Sequence, residues 1–187
     1  MNKKLVAIAL ICLVILCILP NTSKAQIVSI ADIRNQIFYA DFDLDRSFSL
    51  INDINSLGLT DPIVNAYIGA TELLVAKYSW NPITKISFLK NGLRKVNEAV
   101  TVDSENIEIR FLRFYIQNSL PRYLGLSDDL TSDKEVIIDQ LGDLSNLGLT
   151  RDIVLYINQY MIDSGQCTIE ELEEIDDVVA NLEFERS

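Results

Sequence analysis

Histidine is absent from this 187-residue chain, and cysteine (3), glycine (7), proline (4) and tryptophan (1) are scarce. Each shortage removes a class of chemistry or structure. Without histidine there is no Ser-His-Asp or Cys-His nucleophile system, no His-ligated zinc and no imidazole general base. Positive charge is also short: 16 Lys and Arg stand against 27 Asp and Glu, a formal net charge of −11. DNA and RNA need a basic face to meet their phosphates, so neither is an expected partner. What the chain does have is 49% hydrophobic residues, enough at this length for one ordinary core.

The one long apolar run lies at the start. Lys3 and Lys4 precede 15 unbroken apolar residues, Leu5 to Leu19, and Pro20 ends the run. Ser23-Lys24-Ala25 then places small residues at −3 and −1 of a cleavage site before Gln26. This is the pattern of a secretory signal peptide over residues 1–25, and the run is short for a membrane span. The alternative is an uncleaved anchor. Lipid attachment fits less well, because Cys12 and Cys17 follow the bulky Ile11 and Leu16. Cleavage would leave 162 residues, remove Lys3, Lys4 and Lys24 to give a net charge of −14, and keep only Cys167. No intramolecular disulfide could then form, and the acidic residues after Cys167 disfavour a thiolate. The expected destination is outside the cytoplasm, in the periplasm.

Helical spacing dominates the remainder, and no period-2 strand is legible. Helices are expected near residues 30–39, 45–57, 61–79, 82–102, 105–119, 133–147, 151–163 and 168–182. Thr60, Asn81-Pro82, Asp103-Ser104-Glu105 and Thr150 mark starts, and Ser132-x-x-Glu135 and Thr168-x-x-Glu171 read as capping boxes. Ile83, Ile86, Leu89, Leu93, Val96 and Val100 form the expected buried stripe of the longest helix, and Trp80 reads as a packing anchor beside it. Gly69-Ala70 would let a neighbouring helix approach. Leu57 to Val64 and Leu147 to Val154 share six of eight residues at an offset of 90, a helix stop and restart used twice. The fold class expected is all-α: antiparallel helical hairpins stacked in a TPR-like or α-solenoid arrangement, one domain over 26–187.

Two resemblances bear on this. Gly92, Ala99 and the stretch Val96 to Asn106 resemble the junction between tetratricopeptide repeats, with Ser104 in place of the proline. Arg110 and Arg113 depart from that pattern, and no complete 34-residue repeat can be written. More broadly, the chain resembles a family of small exported proteins of Bacteroidota, notably flavobacteria. The residues carrying this are Asp32-Ile33-Arg34, Ala76-Lys77-Tyr78, Asn81-Pro82, Asn106 to Arg113, Pro121 and Leu124-Gly125. That family carries no assigned activity, so the resemblance implies export and a helical fold only.

Charge is unevenly spread: net −5 over residues 26–76, +4 over 77–122 and −13 over 123–187. The basic island either neutralises the acidic C-terminal helices or forms a site for an acidic partner or anion. The candidate site residues are Lys85, Lys90, Arg94, Lys95, Arg110, Arg113 and Gln117. The last three lie at i, i+3 and i+7, which brings two guanidinium forks and an amide to one helix face. Phe111, Phe114 and Tyr115 read as core. Asp41, Asp43 and Asp45 match the first ligand positions of a calcium loop, but Arg46 and Asn52 replace its glycine and glutamate; an acidic helix entry with Asp45 as its cap is the competing reading. Glu170, Glu173, Glu174 and Asp177 form one acidic helix face. No cofactor motif is present, and the chain is not expected to be an enzyme. The expected function is a protein- or peptide-binding adaptor or scaffold of the cell envelope. A small-anion or weak calcium binder and a carboxylate-based envelope hydrolase are the rivals.

Overall fold

Short polar caps set most of the helix starts. The computed structural model describes residues 29–141 and 149–184, and every regular element among them is helical. Helix α1 (Ile30–Tyr39) opens on a capping box, in which Asp32 N donates to Ser29 Oγ at 3.1 Å and Ser29 N to Asp32 Oδ2 at 2.9 Å. Asp43, Asp61, Asn81 and Asn106 cap α2 (Leu44–Ser56), α3 (Pro62–Tyr78), α4 (Pro82–Val102) and α5 (Ile107–Ser119). A 3₁₀ turn (Arg122–Leu124) leads to α6 (Leu130–Leu141), and α7 (Arg151–Asp163) and α8 (Ile169–Phe184) follow. Leu57 ends α2, and Gly58 takes φ +60°, which glycine accepts without a Cβ clash.

The sequence reading places most boundaries within a residue or two. Four starts differ. Asp43 rather than Asp45 caps α2, because its carboxylate takes the Arg46 N–H. Asp61 rather than Thr60 caps α3, and Asn106 displaces Asp103-Ser104-Glu105 at α5. Helix α6 begins at Leu130, so Ser132-x-x-Glu135 lies inside it, with Ser132 Oγ bonded to Asp129 O. Burial of Leu130 in the core draws that start forward. The Thr168-x-x-Glu171 box forms as expected, with Thr168 N to Glu171 Oε2 at 2.7 Å and Glu171 N to Thr168 Oγ1 at 3.3 Å. The signal-peptide segment, the end of the helix expected to reach 147 and Leu147-Gly148 of the repeated turn lie outside the described residues.

The core has two clusters joined by α5. Ile109, Leu112 and Ile116 pack with Ile33, Leu50, Ile54, Tyr67, Leu93 and Val96 of α1–α4. Ile107, Phe111 and Phe114, on another side of the same helix, pack with Ile137, Ile153, Ile157 and Ile175 of α6–α8. A helix apolar on more than one side is thereby buried between layers. Phe38 of α1 packs against both clusters. Helices α3 and α4 meet backbone to backbone. A Cβ on Gly69 would lie 2.7 Å from Gly92 O, and one on Gly92 would lie 2.6 Å from Gly69 O. No helix among the described residues is long and apolar enough to cross a membrane.

Candidate partner-binding site

The seven candidate binding residues separate into two groups. On α5, Arg110, Arg113 and Gln117 do share a face, but that face meets α6. Arg113 donates from Nε to Asp133 Oδ2 at 2.7 Å and from Nη2 to Asp133 Oδ1 at 2.6 Å. Arg110 Nη1 reaches Asp133 Oδ1 at 2.9 Å, and Gln117 exchanges hydrogen bonds with Asp129. Arg113, Gln117 and Asp133 are all buried. Burial opposes the Arg113 charge, yet the hydrogen bonds and charge of Asp133 outweigh it and hold the guanidinium more firmly protonated than usual. Their donor capacity is thus directed into the protein.

A second buried ion pair was not legible in the sequence. Arg34 on α1 donates Nε to Glu108 Oε1 at 2.5 Å and Nη2 to Oε2 at 2.8 Å, and the Tyr67 hydroxyl on α3 donates to Oε1 as well. Burial, then the neighbouring Glu108 carboxylate, pushes the Tyr67 phenol far above its usual range. Three helices are pinned together by this one carboxylate.

The remaining candidates lie on α4. Lys85, Lys90 and Arg94 are exposed. Arg94 pairs with Glu98 one turn on, at 2.7 Å, while Lys85 and Lys90 make no ion pair among the described residues. Lys95 is half-buried, 3.8 Å from Glu72 of α3. Glu72 keeps one oxygen without a hydrogen-bond partner, and burial raises its pKa against the opposing pull of Lys95.

The apolar stripe of α4 departs from expectation in the most informative way. Leu93, Val96 and Val100 are buried, but Ile86 is 54% exposed and Ile83 79%. Trp80, expected as a packing anchor, is 89% exposed. The stripe thus runs on along the helix beyond its buried part. Across from it stands the turn 122–126, where Tyr123 is 86% exposed. Ile86, Leu89 and Leu93 on one wall and Leu124 and Leu126 on the other enclose an open groove of about 660 Å³. Lys90, Arg94, Asn97, Glu98 and Thr101 of α4 supply the polar part of its lining, and Lys90 and Arg94 are exposed on its rim. The residues of the 122–126 wall carried no periodic signal, because a turn contributes by position rather than by pattern.

Asp43 caps α2, taking the Arg46 N–H at 2.7 Å, and Asp41 and Asp45 are exposed. These three do not converge, and among the described residues no group of three acids or cysteines is close enough to hold a metal ion. Glu170, Glu173, Glu174 and Asp177 are solvent-exposed on α8, whose Ile175 is buried. Burial, then Glu171, raises the Cys167 thiol above its ordinary value. Comparison of the chain with protein-family models, with curated proteins and with solved structures finds no match.

Proposed function

We propose that this protein is a non-enzymatic protein- or peptide-binding module of the cell envelope, exported by its N-terminal segment. In this reading the helical hairpins are a TPR-like scaffold, and the contact surface is the α4 groove rather than α5. The observation that carries it is the exposure of Ile83 and Ile86 on α4, with Ile86 lining a groove that Lys90 and Arg94 also line. Exposed aromatic and aliphatic groups of this kind are the usual anchors of interfaces, with neighbouring charge setting orientation. The buried acids Glu108 and Asp133 are each held by arginine, which favours structural over acid–base roles for them.

The test is site-specific photocrosslinking in the native host. A photoreactive residue at position 86 is expected to give a discrete protein adduct that the same residue at Leu59, exposed on another turn, does not give. Crosslinking to nothing, or equally at both positions, overturns the reading.

A further inference from the structure

We infer that the α4 groove receives an amphipathic α-helix of about four turns, with acidic residues flanking its apolar stripe. This rests on the groove being a protein-binding surface and names the partner's chemistry.

Three observations lead there. First, the groove has an aliphatic floor, Ile86, Leu89 and Leu93 with Leu124 and Leu126, bordered on α4 by Lys90, Arg94, Asn97, Glu98 and Thr101. An extended peptide laid there would bury backbone N–H and C=O groups without partners, whereas a helix satisfies its own. No sheet edge exists among the described residues to pair with a strand, and the walls lack the aromatic lining that polyproline segments use. Second, the α4 stripe follows i, i+3, i+7 spacing, the ridge pattern into which another helix packs. The α4 residues that line the groove, Ile86 to Thr101, span ~22 Å at the ordinary helical rise. Third, the charges on this side are Lys90 and Arg94 on the rim and Lys85 nearby, and the single acid of the groove, Glu98, is engaged by Arg94. The complement is a helix with carboxylates on both flanks of its apolar face.

An anionic membrane surface would also meet exposed Trp80, Ile83 and lysine. The net charge of −11 sets such a surface against the whole molecule, while a short helix meets only the local rim. The concave groove likewise suits a helix better than a plane.

The experiment uses the exported protein and a labelled 18-residue peptide with Leu at helical a and d positions and Glu on the flanks. Three further probes are the same peptide with Lys for Glu, the acidic peptide broken by two prolines, and phosphatidylglycerol-containing vesicles. Binding is read by anisotropy and peptide helicity by circular dichroism. The acidic helix is expected to bind at least tenfold more tightly than either altered peptide and to gain helicity on binding. Lys90→Glu/Arg94→Glu and, independently, Ile86→Asp are expected to weaken it at least tenfold while keeping the parent melting curve. Equal or tighter binding of the lysine or proline-broken peptide overturns the inference, as does the absence of binding. Binding to vesicles in preference to the peptide overturns it in favour of a lipid surface. If these probes fail while position 86 still crosslinks to a protein, the partner chemistry is wrong and the binding role stands.

Discussion

Replacing Arg34 with methionine strands a carboxylate inside the protein. The Glu108 side chain is 5% exposed and Arg34 15%, so water has little access to take over from the guanidinium. Removing one member of a buried pair costs about 3–5 kcal/mol, because the other charge stays behind uncompensated. The Tyr67 hydroxyl remains bonded to Glu108 and offsets part of that, which points to the lower half of the range. At this chain length each kcal/mol moves the melting temperature by roughly 2–4 °C, so a drop of about 6–16 °C is expected. Methionine keeps the aliphatic length of arginine and limits any cavity. Thermal and urea denaturation measure the loss, and hydrogen exchange locates it, with α1 losing protection first. The control is Arg34→Met/Glu108→Gln: removing both charges should recover most of the stability, since the amide can still accept from Tyr67. A loss below about 1 kcal/mol in the single variant, or a double variant no better than the sum of the singles, would refute the claim that this pair holds α1 in place.

Gly92→Ala places a methyl group 2.6 Å from Gly69 O, where only backbone can yield, so a loss of about 1–3 kcal/mol is expected on urea denaturation. Arg113→Ala should destabilise strongly by leaving buried Asp133 short of a partner, while Lys90→Ala leaves the melting curve unchanged; similar behaviour of the two would contradict the division between α5 and α4. Glu98→Gln frees Arg94 from an exposed ion pair and should tighten binding of the acidic probe helix by about twofold, the size of a typical i,i+4 pair. Burial lifts the Glu72 pKa above its ordinary 4.5, so the folded state holds this proton better than the unfolded. That contribution is present below the unfolded value and is lost as pH rises through the raised folded value. Glu72→Gln should therefore be more stable than the parent at pH 7, with the difference closing towards pH 4; a constant difference would show that the charge is not the cause.

Much of the fold was legible because its signals are local. Helix periods, Asn81-Pro82 and the Thr168 box act within a few residues, and the structure places the elements where those signals do. The Gly69-Ala70 reading also holds, since small residues on a helix announce a close neighbour whichever helix that is. The orientation of the charged faces was not legible. Spacing brings Arg110, Arg113 and Gln117 to one side of α5, but whether that side meets solvent or α6 depends on Asp129 and Asp133, which lie more than ten residues away in sequence. The Arg34–Glu108 pair spans 74 residues and gave no local sign at all. The apolar stripe of α4 reads the same from Ile83 to Val100, and only packing distinguishes its covered half from its bare half.

That last distinction joins the charge and apolar observations. Residues 77–122 hold eight cations among four acids. On α5 the excess is matched by Asp129 and Asp133, drawn from the acidic C-terminal part of the chain. On α4 it is matched only in part: Lys95 meets Glu72 of α3, but Lys85 and Lys90 make no ion pair among the described residues, and Arg94 is met only by its own helix. The apolar surface follows a similar division: of the large apolar side chains on α5 only Tyr115 is exposed, at 37%, while on α4 Ile83 and Ile86 are 79% and 54% exposed. Unmatched charge alone is ordinary on a surface, and so is an occasional exposed isoleucine. Both deficits on one helix, beside a groove lined by Leu124 and Leu126, are what the proposed partner helix, apolar along its middle and acidic at its edges, would fill.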